Sequence, residues 1–221
     1  MKIHFIGIGG IGVSALARYY LKKGYIVSGS DLVASEITKA LEKLEAKIFI
    51  GKHKAKNLAK DVDLVVYSPA VPKDNPELLK AKSYKLKTKS YPQALGELTK
   101  KHFTIAVCGS HGKSTVAAMI GLVLTKARLD PTVILGTKLR EFRDSNCRVG
   151  KGNYLVIEAD EYKESFLNYW PKVIVLLNIE YDHPDYFKNL AHYVKTFEKF
   201  VLHLPKDGIL VANRDDKNTK N

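Results

Sequence analysis

Long hydrophobic runs are absent from the sequence. No segment is apolar and long enough to cross a bilayer as a helix, which excludes a helical membrane span. Cysteine is scarce. Cys108 and Cys147 have no metal-ligand spacing and belong to no disulfide framework. The first residues, Met1 to Ile6, run straight into a glycine-rich turn, so no secretory leader is read there. Glycine and proline are too few for a disordered chain, and no repeat or low-complexity segment occurs. Together these absences predict a cytoplasmic globular protein of one large or two small domains. Acidic residues are outnumbered, 23 against 36 Lys and Arg, for a formal charge of +13. The lysines are scattered over expected helix faces, such as 39–60 and 73–101, and are not interleaved with a base-stacking aromatic platform. That pattern predicts a solvated basic surface attractive to anionic substrates, with no nucleic-acid and no membrane partner.

What is present is organised around the stretch from Phe103 to Thr115. A mostly apolar, β-branched run from Phe103 to Cys108 leads into Gly109-Ser110-His111-Gly112-Lys113-Ser114-Thr115, and helical spacing follows from Val116 to Lys126. Gly109 and Gly112 permit a sharp turn. The N–H groups of the helix start suit a phosphate, Lys113 adds a full charge, and Ser114 stands where a phosphate-loop hydroxyl holds Mg²⁺. The loop is short: two residues, not four, separate Gly109 from Gly112-Lys113.

A second glycine motif opens the chain. Lys2 to Ile6 reads as a strand, Gly7-Ile8-Gly9-Gly10-Ile11-Gly12 as the turn, and Ile11 to Lys23 as a helix. A second strand, Tyr25 to Ser30, ends at Asp31, about 20 residues past the motif, where a dinucleotide fold places its ribose carboxylate. Asp31 serves equally well as a cap for the next helix. Further strands are expected at 46–50, 63–67 and 84–87, with helices at 36–44, 76–81 and 91–100. Beyond the phosphate-loop helix, strands are expected at 131–136, 154–157, 172–177 and 209–212. A helix at 193–202 carries aromatic residues at core spacing, and 138–152 reads as polar and irregular. The fold class is therefore α/β. A Rossmann-like parallel-sheet domain over 1–100 is followed by a P-loop-type α/β domain over 101–221. In a parallel sheet the carboxyl ends of neighbouring strands share one crevice. The phosphate loop, Glu158-Ala159-Asp160-Glu161 and Asp182-His183 all follow expected strands, so they converge if those strands share a sheet.

In that order these patterns resemble the Mur ligase family, the ATP-dependent amide-forming enzymes of peptidoglycan precursor synthesis. The likeness rests on Gly7 to Gly12, Ser68-Pro69-Ala70-Val71-Pro72 with Asn75-Pro76-Glu77, the shortened loop Gly109 to Thr115, Glu158 to Glu161 with Ser165-Phe166-Leu167, Asn178 to His183, and Gly208 to Asp216. It implies that ATP phosphorylates a carboxylate and an amine then displaces phosphate. The branch it points to joins L-alanine to UDP-N-acetylmuramate. Tyr162 and the stretch Tyr91 to Leu95 are similar to the branch that recycles murein peptides onto the same nucleotide sugar. By resemblance, ATP meets Gly109, Ser110, His111, Gly112, Lys113, Ser114 and Thr115, with Asn178 and Asn213 towards the adenine. Lys113, Glu158 and His183 are the implied catalytic groups. Ser114 and Glu158 hold one Mg²⁺, and His183 serves a second. Gly7, Gly9, Gly10, Ile11, Gly12, Asp31, Ser68 and His111 face the UDP-sugar substrate. Ser110 and Ser114 stand where the family usually has Thr, and Lys163 where an Asp is common. The resemblance also implies that the ATPase domain over 101–221 is incomplete and that a C-terminal domain is missing, so these residues alone are expected not to turn over. Two rivals remain at this point. A nicotinamide-dependent oxidoreductase explains the first motif but not the second, and NAD binding without UDP binding marks it. A non-catalytic nucleotide-binding module is marked by ATP binding without ligation.

Overall fold

The computed structural model describes residues 1–220. Two compact units divide the chain, Met1–Ala94 and a second that starts at Leu95. In the first, β1 (Lys2–Ile6) is followed by α1 (Ile11–Lys22), β2 (Ile26–Asp31), α2 (Glu36–Glu42), β3 (Lys47–Ile50), β4 (Leu64–Tyr67), α3 (Pro76–Ser83) and β5 (Thr88–Ser90). The five strands form a parallel sheet in the order β3-β2-β1-β4-β5. β1 is central, so both its faces are covered, and Ile3, His4, Phe5 and Ile6 have no exposed surface. The strand order reverses between β1 and β4, which opens a crevice beyond their carboxyl ends.

Helix α4 (Tyr91–Thr99) leads into the second unit. There β6 (Phe103–Cys108), α5 (Lys113–Lys126), β7 (Thr132–Leu139), β8 (Ser145–Arg148), β9 (Tyr154–Glu158), β10 (Val173–Leu176), α6 (Leu190–Val201) and β11 (Ile209–Ala212) follow. The sheet order is β11-β10-β6-β9-β7-β8, with only the β7–β8 pair antiparallel. β6 thus lies between β9 and β10, so the turns that leave all three strands share one edge. Val107, Ala117, Val133 and Val156 bind α5 to the sheet. On the α6 side, Phe166, Phe187, Tyr193, Phe197 and Phe200 are almost wholly buried, so its aromatic spacing is core packing.

Three expectations need correction. The segment 84–87 is not a strand. Tyr84 caps α3, Lys85 takes a left-handed φ of 55°, and the Leu86 N–H returns to the Ala81 carbonyl, which delays β5 to Thr88. The segment 138–152 is not irregular throughout. β7 runs on to Leu139, and β8 pairs back on it across a register shift with Asn146 and Cys147 buried. Its Ser-Asn-Cys-Arg sequence carries no alternating apolar signal, and Arg148 is anchored at 2.6 Å on Asp130. α6 starts at Leu190, because Asn189 caps it by accepting the His192 N–H at 2.8 Å.

Candidate functional site

Asp31 is not the cap of α2. Ser35 fills that place in a capping box with Thr38. The Asp31 carboxylate turns back on the glycine motif and accepts the Gly9 N–H at 2.7 Å. A cavity of about 780 Å³ opens at the β1/β4 crevice, lined by Gly7, Gly9, Gly10, Asp31 and Ser68 together with residues such as Lys52, His53, Asp74 and Asn75. Five of the expected substrate residues are thereby brought together. Gly12 and Ile11 are not among them. A Cβ on Gly12 would lie 2.8 Å from the Tyr91 ring, so that glycine answers to packing, and Ile11 is exposed. The Gly10 N–H is also spent, on the Gly7 carbonyl. No side chain caps α1.

The loop between β6 and α5 has the conformation its glycines suggest, with φ of 133° at Gly109 and 84° at Gly112. It is braced from the end of β10. The Ser110 N–H donates to the Asn178 carbonyl, and the Asn178 side chain accepts the His111 N–H at 2.9 Å and donates to its carbonyl. Those two loop N–H groups are therefore not available to a phosphate. The ones that remain belong to the first turn of α5, which has no side-chain cap. The Ser110 hydroxyl is buried, donates to the Glu180 carbonyl at 2.7 Å and lies 3.1 Å from the Tyr193 hydroxyl, so it fixes the loop. Thr115 is exposed on the first turn. His111 is exposed and 3.5 Å from Glu180.

Lys113 has a partner the sequence reading passed over. Its amine donates to the Gly109 carbonyl at 2.7 Å and to Glu161 at 3.0 Å. Glu161 has no exposed surface and also accepts the Tyr193 hydroxyl at 2.9 Å. Burial pushes the Tyr193 hydroxyl well above its ordinary pKa, with the Glu161 charge adding to the shift, so it stays a donor. The signal was the Glu158 to Glu161 run itself, in which Glu158 faces the loop and Glu161, three residues on, faces the lysine.

Glu158, at the end of β9, accepts the Ser114 hydroxyl at 2.9 Å and the Gly136 N–H at 2.6 Å. A Cβ on Gly136 would sit 2.9 Å from the carboxylate, so a side chain there would have to push Glu158 aside. A hydroxyl and a carboxylate held together at a phosphate loop are hard oxygen donors and fit Mg²⁺. His183 stands in a separate group. Its Nε2 is 3.7 Å from Glu161, and ligand atoms of Asp160, Glu161 and His183 lie within 4.8 Å of one another. The Tyr162 ring packs on His183 with centroids 4.7 Å apart, and the Lys163 amine lies over that same Tyr162 ring. Asn213 uses its side chain to accept the Asp215 N–H, outside this cluster.

Two family models cover almost the whole chain. The "Mur ligase family, catalytic domain" matches residues 2–103 and the "Mur ligase middle domain" matches residues 107–221. The chain belongs to the Mur ligase family. Its curated relatives within the family include the UDP-N-acetylmuramate–L-alanine ligase of Acetivibrio thermocellus, 49% identical over 98% of this chain and 46% of that protein. That of Clostridium perfringens is 48% identical over 98% and 47%. The chain spans about half the length of the curated relatives it matches. Among solved structures, the UDP-N-acetylmuramate-alanine ligase of Thermotoga maritima superposes with a TM-score of 0.86 at 36% identity, covering 99% of this chain and 50% of that one. No helix among the described residues is long and apolar enough to cross a membrane.

Proposed function

We propose that the chain carries the nucleotide-sugar and ATP sites of a ligase that joins L-alanine to the lactyl carboxylate of UDP-N-acetylmuramate. What chiefly supports this reading is the clasp at the phosphate loop, where Ser114 is bonded to Glu158 and Lys113 is held beside it. A bare carboxylate has no good leaving group. In the proposed reaction the γ-phosphoryl group of ATP passes to a carboxylate oxygen and ADP leaves. The amine of L-alanine then attacks the acyl carbon, phosphate departs, and the nitrogen loses a proton to give the amide. The N–H groups at the start of α5 and the Lys113 amine bind and orient the β- and γ-phosphates. Ser114 and Glu158 would hold Mg²⁺, which supplies charge neutralisation on the transferred phosphoryl group. His183, with Asp160 and Glu161, would serve a second ion. Asp31, Ser68 and the Gly7–Gly10 turn bind the UDP-sugar, and Asp31 keeps the turn in place through Gly9.

The test is an assay of the protein carrying this chain, with ATP, Mg²⁺ and UDP-N-acetylmuramate. Phosphate release is followed, and the amide product is identified by mass spectrometry. L-Alanine is offered in one arm and the recycled tripeptide in another. Amide formation with L-alanine supports the reading. Formation with the tripeptide alone moves the protein to the recycling branch, and no amide with either amine refutes ligation.

A further inference from the structure

Beneath the cavity of the first unit lies a buried polar network. Glu77, on α3, has no exposed surface, yet its carboxylate carries four contacts. One oxygen accepts from His4 Nε2 at 2.7 Å and from the Ser30 hydroxyl at 2.8 Å. The other accepts from the Asn57 amide at 3.0 Å and stands 3.1 Å from His53 Nδ1. Ser30 Oγ is also 3.0 Å from His53 Nδ1. Burial alone would raise the Glu77 pKa, but the hydrogen bond and charge of His4, helped by Ser30 and Asn57, hold it below its ordinary value.

The proton positions follow by counting donors. Ser30 has one hydroxyl proton, and it goes to Glu77. A bare Nδ1 on His53 would then point a lone pair at an ionised carboxylate oxygen, which is repulsive. A proton on Nδ1, shared between Glu77 and Ser30, removes that repulsion. His4, itself without exposed surface, already sits 2.7 Å from the same carboxylate, so a cation at His53 would have to share that one counter-charge. His53 is among the residues that line the cavity, and its Nδ1 is turned towards Glu77 and Ser30. With the proton on Nδ1, the lone pair falls to Nε2.

We propose that Glu77 is a positioning residue for the cavity: it holds the proton of His53 on Nδ1 and so presents Nε2 to the ligand as a hydrogen-bond acceptor. The inference rests on reading that cavity as the nucleotide-sugar site. The ligand group it fits is an N–H or O–H donor, such as a uracil imide or a ribose hydroxyl, and not a phosphate oxygen. This is the reverse of the proton placement that would suit an anion.

Two measurements decide it. The first is a ¹⁵N histidine spectrum of the wild-type chain at pH 8. A pyrrole-type Nδ1 with a pyridine-type Nε2 at His53 is expected. A pyridine-type Nδ1, or an imidazolium with both nitrogens protonated, overturns the proposal. The second is calorimetry with UDP on Glu77→Gln, His53→Asn and the double variant. Asn at 53 keeps a donor towards Glu77 but loses the outer acceptor. Each single variant should weaken UDP by about tenfold, the order of one hydrogen bond, and the double variant should be no weaker than His53→Asn. Additive losses would mean that Glu77 acts on folding and not through His53. Failure of UDP to bind the wild type would sink the cavity reading itself, while the spectrum still decides where the proton sits.

Discussion

Removing the Lys113 amine should destabilise the second unit before any question of ATP arises. Glu161 has no exposed surface, and the Lys113 side chain is only 18% exposed. Among the described residues, Lys113→Ala leaves the carboxylate with the Tyr193 hydroxyl at 2.9 Å and His183 Nε2 farther off at 3.7 Å. Breaking a buried pair from one side costs about 3–5 kcal/mol, and the partial exposure of Lys113 puts this site near the lower end, about 3 kcal/mol. Lys113→Ala/Glu161→Gln removes the stranded charge and keeps an oxygen for Tyr193, so its cost should fall to about 1 kcal/mol. Trp170, the single tryptophan of the chain, lies in this unit and stacks on His203 at 4.6 Å, so urea unfolding can be followed by its fluorescence. With a urea slope of about 2 kcal/mol per molar, the single variant should lose roughly 1.5 M in midpoint. The measurement is made at pH 8, so that an imidazolium does not supply a substitute cation. A single variant within about 1 kcal/mol of wild type, or a double variant no more stable than the single, would refute the idea that Glu161 depends on Lys113.

The Gly136→Ala variant should push the Glu158 carboxylate off Ser114, because its Cβ would come within 2.9 Å of an oxygen. The expected result is an order-of-magnitude rise in the Mg²⁺ concentration needed for ATP binding, about the 1–3 kcal/mol of an overpacked site, and an unchanged Mg²⁺ titration would count against the clasp. Glu158→Gln keeps the size of the side chain but removes the charge a hard cation prefers, so its Mg²⁺ curve should also shift to higher concentration. Overlapping curves would make Glu158 a structural carboxylate. Glu77 is held below its ordinary pKa in the folded state, so its contribution is present at neutral pH and lost as pH falls through that depressed value. Glu77→Gln should therefore flatten the acid loss of stability below about pH 4.5, and an acid limb of unchanged steepness would show that the His4–Glu77 pair is not its source.

Much of the architecture was legible because parallel strands buried on both faces read as short apolar runs, as Phe103 to Cys108 and Tyr154 to Ile157 do. The strand-end turns then follow from topology, and Ser114 and Glu158 meet because β6 and β9 are neighbours. What escaped was set by tertiary contacts. β8 exists because β7 pairs with it, and nothing in Ser145 to Arg148 announces a strand. Glu161 and Glu158 are the same residue type three positions apart, and only the fold shows one facing the lysine and the other the hydroxyl. His4 looks like an oddity in an apolar strand until Glu77 and Ser28 are placed beside it. At Asp31 the sequence left ligand contact and cap equally open, and the structure gives the cap to Ser35.

The central claim is that one chain holds a UDP-sugar site and a separate phosphate-loop site for ATP. Calorimetry of the purified chain with UDP-N-acetylmuramate, with NAD, and with ATP plus Mg²⁺ tests it most directly, repeated on Lys113→Ala/Glu161→Gln. Wild type should bind UDP-N-acetylmuramate more tightly than NAD and also bind Mg²⁺–ATP, and the double variant should lose ATP while keeping the nucleotide sugar. Tighter binding of NAD, or ATP affinity undiminished in the variant, would contradict that claim.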